Sequence, residues 1–191
     1  MMKRVSIVVP VYNEQDNILH FYHEVRQYMD PLGYLYELIF VDDGSTDNTA
    51  PILEQVVRQD GRVRAVLLAR NFGHQIALTC GLDHASGAAV ITMDGDMQHP
   101  PALLPVLLEK WEAGFEVVQT IRLETEDASW FKKHTSSLFY RLINAMSNVH
   151  VTEGGSDFRL LDSKAVATFQ RFKERARFIR GLIGDLGYRQ T

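Results

Sequence analysis

The sequence predicts an α/β fold: a mainly parallel central sheet with helices on both faces. Short β-branched apolar runs alternate along the chain with stretches of helical periodicity, as in a parallel sheet covered on both sides. The runs are nearly continuous in apolar character, as strands buried on both faces require; Val5 to Val9 reads Val-Ser-Ile-Val-Val. Polar clusters follow strands directly, at Tyr12-Asn-Glu14, Asp42-Asp43, Arg70-Asn71 and Asp94 to Gln98. In such sheets ligands sit beyond the carboxyl ends of the strands, so the four clusters are expected along one edge.

The elements follow in order. Val5 to Val9 is the first strand. Asn17 to Met29 carries Ile18, Phe21, Tyr22, Val25 and Met29 at helical spacing. Tyr36 to Val41 is a second buried strand, released into Asp42-Asp43-Gly44-Ser45. A helix is expected from near Thr46 to Gln59, with Ile52, Leu53, Val56 and Val57 inward and Asp42 capping its start. Val63 to Leu68 is a third strand, His74 to His84 a helix, and Ala88 to Met93 a fourth strand. Pro100-Pro101 opens a helix that Gly114 ends, since proline suits a first turn and glycine a C-cap. Glu116 to Ile121 is a fifth strand. Leu123 to Ser129 reads as a mobile loop, and Trp130 to Asn148 as a helix with Phe131, Leu138, Phe139, Leu142, Ile143 and Met146 on one side.

The chain has 191 residues, 46% apolar and 23% charged, enough for one domain with a real core and unlike a disordered chain. No run approaches the roughly 18 apolar residues of a membrane-spanning helix. The basic start before Val5 leads into a run too short for a signal peptide. Cys80 stands alone, which excludes an internal disulfide, suits a reducing cytosol and reads most simply as a small core residue. Residues 1–128 carry 9 Lys/Arg against 19 Asp/Glu, and residues 129–191 carry 11 against 5. The C-terminal third is therefore net positive in an acidic chain, which can serve nucleic acid, an anionic lipid or a phosphorylated substrate.

The chemistry concentrates at Asp94-Gly-Asp-Met-Gln98. On an extended backbone residues i and i+2 point the same way, so Asp94 and Asp96 are expected to face one point. With the Gln98 amide they form a hard oxygen set suited to Mg²⁺ or Mn²⁺, an ion able to hold a nucleotide diphosphate. Other chemistries lack their residues. No G-x-G-x-x-G follows a strand and no P-loop occurs. The histidines show no zinc spacing, and no G-x-S-x-G elbow is present.

Ser6-Ile-Val-Val-Pro-Val-Tyr-Asn-Glu14, Val41-Asp-Asp-Gly-Ser-Thr-Asp47 and Asp94-Gly-Asp-Met-Gln-His-Pro100 resemble the family 2 glycosyltransferases of the GT-A fold. Asn71 to Leu82 and Gly154-Gly-Ser-Asp-Phe-Arg-Leu-Leu161 narrow the resemblance to the polyprenyl-phosphate branch, that of dolichol-phosphate mannose synthases and undecaprenyl-phosphate glucosyl- or aminoarabinosyltransferases. It covers essentially the whole chain. The resemblance implies one catalytic domain over 1–191, with a nucleotide-sugar and metal half at 1–122 and an acceptor half at 123–191. Pro10, Tyr12 and Glu14 would line the nucleoside pocket, and Val41 and Asp43 would contact base and ribose. Asp94, Asp96 and Gln98 would hold the ion, with Gly95 beside the donor and Arg122 on its diphosphate. Asp157 would orient or deprotonate the acceptor, and Arg159 would hold its phosphate. Asp96 and Asp157 are then the residues nearest the chemistry.

The resemblance further implies an inverting, metal-dependent hexosyltransferase at the cytoplasmic membrane face, with no nucleic-acid partner. UDP-glucose and undecaprenyl phosphate are favoured. GDP-mannose with dolichyl phosphate is the alternative, and a sugar-nucleotide-binding module without turnover is the reading from a different class. Two departures stand out. The family's basic segment and membrane helices are expected after Gly187-Tyr188, so the chain is either an excised catalytic domain or a short form. His74 occupies a position where relatives often carry Lys.

Overall fold

The computed structural model describes residues 2–121, 155–172, 183 and 187–191. The expected loop at 123–129, the helix at 130–148 and Arg122 lie outside them. Six strands form one sheet in the order β3-β2-β1-β4-β6-β5: β1 (Arg4–Val11), β2 (Leu35–Asp42), β3 (Val63–Leu67), β4 (Ala89–Thr92), β5 (Val117–Ile121) and β6 (Gly155–Asp162). β1, β2, β3 and β4 run parallel, while β6 is antiparallel to both β4 and β5. A final short segment adds to the β5 edge, where Val117 pairs with Gln190 in parallel.

The helices are α1 (Ile18–Met29), α2 (Thr49–Gln59), α3 (His74–His84), α4 (Leu104–Glu112) and α5 (Ser163–Gln170). Strand alternation sends Val5, Ile7, Val9 and Val11 of β1 into one core with Phe21, Val25, Leu53 and Leu108 from α1, α2 and α4. Val8 turns the other way, into a second core with Ala77, Leu78, Leu82, Val166 and Phe169 from α3 and α5. Helices therefore cover both faces, as the continuous apolar runs require. Gly81 permits the close seat of α3 on β1, because a Cβ there would lie 2.2 Å from Val8 Cγ1.

β6 was not expected as a strand. Gly-Ser-Asp-Phe-Arg-Leu-Leu-Asp lacks a continuous apolar run because the buried pair Asp157 and Arg159 interrupts it. Within the strand the Arg159 guanidinium pairs with the Asp157 carboxylate, while Phe158 and Leu160 enter one core and Leu161 the other. Smaller differences have local causes. α2 starts at Thr49, not Thr46, and Asp47 Oδ1 accepts the Thr49 amide there. Asp42 instead accepts the amide and hydroxyl of Ser45, closing the turn after β2. The segment after Pro100 begins as a single tight turn at Pro101–Leu103 before α4 starts.

At the amino ends of the strands, the buried Glu37 carboxylate accepts from Ser6 Oγ at 2.6 Å and from the Ser86 amide and hydroxyl at 2.9 and 2.8 Å. Burial raises its pKa, but these bonds and Arg64 outweigh that and hold it below the usual range. The carboxyl ends of the same strands are left for chemistry. Among the described residues no helix is long and apolar enough to cross a membrane.

Candidate active site

A cavity of about 470 Å³ opens beyond the carboxyl ends of β1, β2, β3 and β4. Pro10, Val11, Tyr12 and Glu14 line it from β1, Asp43 from β2, Asn71 and Gly73 from the loop after β3, His74 and Ala77 from α3, and Asp94 to Asp96 from the end of β4. The four polar clusters thus meet where a parallel sheet places its ligand.

Each wall has a local cause. Asn13 sits at φ 54°; its amide donates to Ser45 Oγ and its Oδ1 accepts the Thr46 amide, tying the β1 loop to the β2 loop. Glu14 accepts from Asn17 Nδ2 at 2.7 Å, and its amide donates to Thr49 Oγ1. Asp43 is buried, and its two oxygens accept the amides of Phe72 and Gly73 at 2.7 and 2.8 Å. This carboxylate therefore shapes the loop leading into α3. Val41 is fully buried in the second core and does not line the cavity.

The carboxylates after β4 converge by a turn, not by strand alternation. β4 ends at Thr92, Asp96 Oδ1 accepts the Gln98 amide at 3.0 Å, and Met97 takes φ 63°. Gly95 allows the close approach to β1, since a Cβ would lie 2.7 Å from Val11 Cγ1. Asp94 and Asp96 both line the cavity, whereas Gln98 is exposed and outside the lining.

On the β6 side, Asp157 is 4% exposed. It accepts from Arg159 Nη2 at 3.1 Å and lies 3.3 Å from His74 Nε2. The same His74 nitrogen lies 3.6 Å from Asp94 Oδ1. One imidazole therefore stands between the carboxylate of the β4 loop and that of β6. Arg159 is buried at 1% exposure and also donates to the Ser156 carbonyl. It holds Asp157 from behind and does not line the cavity.

His99, quoted in a motif but given no role by sequence reasoning, proves central to the loop. Its Nδ1 accepts the Asp94 amide at 3.0 Å and its Nε2 meets Ser156 Oγ at 2.7 Å. An amide can only donate, so Nδ1 carries the lone pair and Nε2 the hydrogen. The 3.4 Å approach of His99 Nδ1 to Asp94 Oδ2 is then a packing contact and not an ion pair. A histidine five residues after the first Asp, just before a Pro-Pro pair, was the available signal.

Burial raises the Asp94 pKa foremost, with His74 opposing this and Asp157 and Asp96 adding to it. Asp94 Oδ1 is a buried oxygen without a hydrogen bond among the described residues. A desolvated carboxylate of this kind, beside Asp96 in one cavity, fits a divalent cation. Among the described residues no group of three His, Cys, Asp or Glu could hold an ion alone. Two carboxylates suit an ion that takes its other ligands from phosphate and water.

Comparison with known proteins places the chain in a family. Residues 6–169 match the model described as glycosyl transferase family 2. The prophage bactoprenol glucosyl transferase homolog of Escherichia coli (strain K12) is 38% identical over 184 residues, 96% of this chain and 60% of the relative. The undecaprenyl-phosphate 4-deoxy-4-formamido-L-arabinose transferase of Edwardsiella ictaluri (strain 93-146) is 39% identical over 176 residues, 92% of this chain and 54% of the relative. The chain thus spans little more than half the length of these two relatives. A mannosyltransferase of Pyrobaculum calidifontis, solved with GDP-Man and Mn2+, superposes with a TM-score of 0.65 at 20% identity, covering 100% of this chain and 54% of that one. The chain belongs to glycosyl transferase family 2 and has its GT-A fold.

Proposed function

We propose that this chain is the catalytic domain of an inverting glycosyltransferase that moves a sugar from a nucleoside diphosphate to a polyprenyl phosphate, with UDP-glucose and undecaprenyl phosphate as the favoured pair. One observation carries the reading: Asp94 of the cavity and Asp157 of β6 approach a single imidazole, at 3.6 and 3.3 Å. In this reading a donor-side and an acceptor-side carboxylate share that imidazole. The names of the relatives from E. coli and E. ictaluri support the polyprenyl acceptor.

In this reading Pro10, Tyr12 and Glu14 bind the nucleoside, while Asp43 holds in place the loop that lines the cavity at Asn71 and Gly73. Asp94 and Asp96 hold Mg²⁺ or Mn²⁺, which when bound offsets the charge on the departing diphosphate. Gln98 reaches the ion only if the Asp96–Gln98 turn rearranges, and Val41 acts through packing. Arg122 remains the proposed diphosphate contact. A lipid phosphate is largely ionised near neutral pH, its second pKa being about 6, so no strong base is required. A phosphate oxygen attacks the anomeric carbon, the bond from that carbon to the diphosphate oxygen breaks, and the electron pair leaves with the nucleotide. Asp157 orients the acceptor through His74, and Arg159 fixes Asp157. The membrane surface is a partner because the acceptor resides there, and the cytoplasmic face is the side that holds nucleotide-sugars.

The test incubates the chain with undecaprenyl phosphate, Mn²⁺ and a panel of UDP- and GDP-sugars, and reads glycosyl lipid by mass spectrometry. A product with one donor, abolished by Asp94→Ala together with Mn²⁺-dependent nucleotide binding, is the expected result. Mn²⁺-dependent binding without product under any pairing would favour a binding module. Nucleotide binding indifferent to Mn²⁺ and to Asp94→Ala would overturn the metal assignment.

A further inference from the structure

We propose that His99 is a positioning residue, a neutral imidazole strut that fixes the β4 loop against β6 and passes the state of the donor site to the acceptor side. The inference rests on the functional reading above for the meaning of the two sides, but its geometry is independent of that reading. The β4 loop holds its shape through two local devices, the Asp96–Gln98 turn and the close seat of Gly95 on Val11. Neither device reaches β6. The His99 ring does. It is 5% exposed and stacks on Phe158, with centroids 5.4 Å apart and planes 26° apart.

One edge of the ring takes the amide of Asp94, and the other donates to Ser156 Oγ. That oxygen also accepts the Phe158 amide at 3.1 Å. The backbone units it engages are therefore those of Asp94 on one side and those flanking Asp157 on the other. A planar ring with a fixed tautomer transmits displacement better than a flexible chain, because neither hydrogen bond can be kept if the other end moves. His74 makes a second link between the same segments, but between side-chain carboxylates that substrates or a cation would engage. The His99 link uses backbone amides and a hydroxyl, so it persists when the carboxylates are occupied.

Three variants of the chain separate the parts. His99→Phe keeps the stack on Phe158 and removes both hydrogen bonds. His99→Gln keeps an acceptor and a donor on one planar group. Ser156→Ala leaves the ring in place and removes the β6 end of the link, together with the acceptor of the Phe158 amide. Hydrogen exchange read by mass spectrometry, without ligand, is the first measurement. Ser156→Ala is expected to speed exchange in residues 94–99 by up to about tenfold, the equivalent of one lost hydrogen bond, though the change lies on β6. Mn²⁺ with UDP or GDP is then added. Protection is expected to spread to residues 155–159 in the wild type and in His99→Gln, but not in His99→Phe or Ser156→Ala. In turnover, His99→Phe is expected to lower kcat about ten- to a hundredfold while nucleotide affinity holds, with partial recovery in His99→Gln.

Unchanged exchange at 94–99 in Ser156→Ala, or protection of 155–159 that persists in that variant, would overturn the strut. If His99→Phe fails to fold, Ser156→Ala still decides. If the wild type makes no glycosyl lipid, the functional reading fails while the exchange result still judges the link.

Discussion

Asp157 and Arg159 illustrate how one side chain can serve a site and a core at once. Both are nearly inaccessible, and the guanidinium donates to the carboxylate at 3.1 Å. Breaking such a pair leaves a charge in a poorly solvating place, so Asp157→Asn carries a stability cost beside any catalytic one. Asn keeps an oxygen acceptor for Arg159, which limits the cost to about 1–3 kcal/mol. The expected outcome is a lower urea midpoint and a sharp fall in turnover, with nucleotide affinity nearly unchanged in the folded fraction. Equal damage to nucleotide affinity would move Asp157 to the donor side. Gly44 gives a second prediction. It lies at φ +70°, and a Cβ would come 2.3 Å from the Arg70 carbonyl carbon. Gly44→Ala must push the β2 and β3 loops apart, and with them the Asp43 clamp on Phe72 and Gly73. We expect roughly 1–3 kcal/mol of destabilisation together with weaker nucleotide binding, measured by unfolding and calorimetry. The sequence marked Asp43, Asp94, Asp96 and Asp157 by type and place. It could not show that Asp43 spends its oxygens on amides about thirty residues away, or that Val41 faces inward, because both depend on the tertiary partner.

Among elements, the four parallel strands and their helices were legible because burial on both faces leaves an apolar run that survives without context. β6 was not. Its register against β4 and β5 depends on a buried ion pair that reads as loop polarity in one dimension. Another polar join shows what such groups contribute to assembly. Asp60, between α2 and β3, accepts from Arg62 through Nε and Nη2 and from Tyr22 Oη. Arg62 also donates to Asp30 at 2.7 Å, and Asp30 accepts from Tyr36 Oη. The Arg62 bonds foremost hold the Asp60 carboxyl well below its usual range. Burial pushes Asp30 up, but Tyr36 and Arg62 more than offset this. A folded-state pKa below the unfolded value, about 3.9 for Asp, stabilises the fold above that pH and loses its effect as pH falls through the folded value. The urea midpoint is therefore expected to hold between neutral pH and about 5, then to fall with acid. Arg62→Met should lower the plateau and flatten the acid limb. Parallel acid limbs in the two proteins would refute the assignment.

For the whole molecule, the general rule of parallel sheets located the site before any side chain was placed. Tyr12, Asp43, Asn71 and Asp94 sit on four segments far apart in sequence, yet all line one cavity because each follows a strand running the same way. The charge distribution has a consequence at this scale as well. Residues 129–191 hold 11 Lys/Arg against 5 Asp/Glu, while the preceding part is strongly acidic. Of the C-terminal arginines, Arg171 is exposed. Arg189 stacks on Phe115, its amide donating to Glu116, so it is partly committed within the fold. Each basic residue close to an anionic bilayer contributes about 1 kcal/mol, and the attraction fades within a Debye length of about 8–10 Å. Several such residues acting together would hold the chain at the surface where the proposed acceptor is accessible. The expected outcome is weak sedimentation with vesicles rich in anionic lipid at low salt, lost at high salt and absent with neutral vesicles. Charge reversal at Arg171 and Arg175 should reduce that binding, while nucleotide affinity, set by the cavity lining, stays constant. Binding that ignores salt and lipid charge, or no binding at all, would mean that the basic residues are neutralised by the acidic part of the same chain.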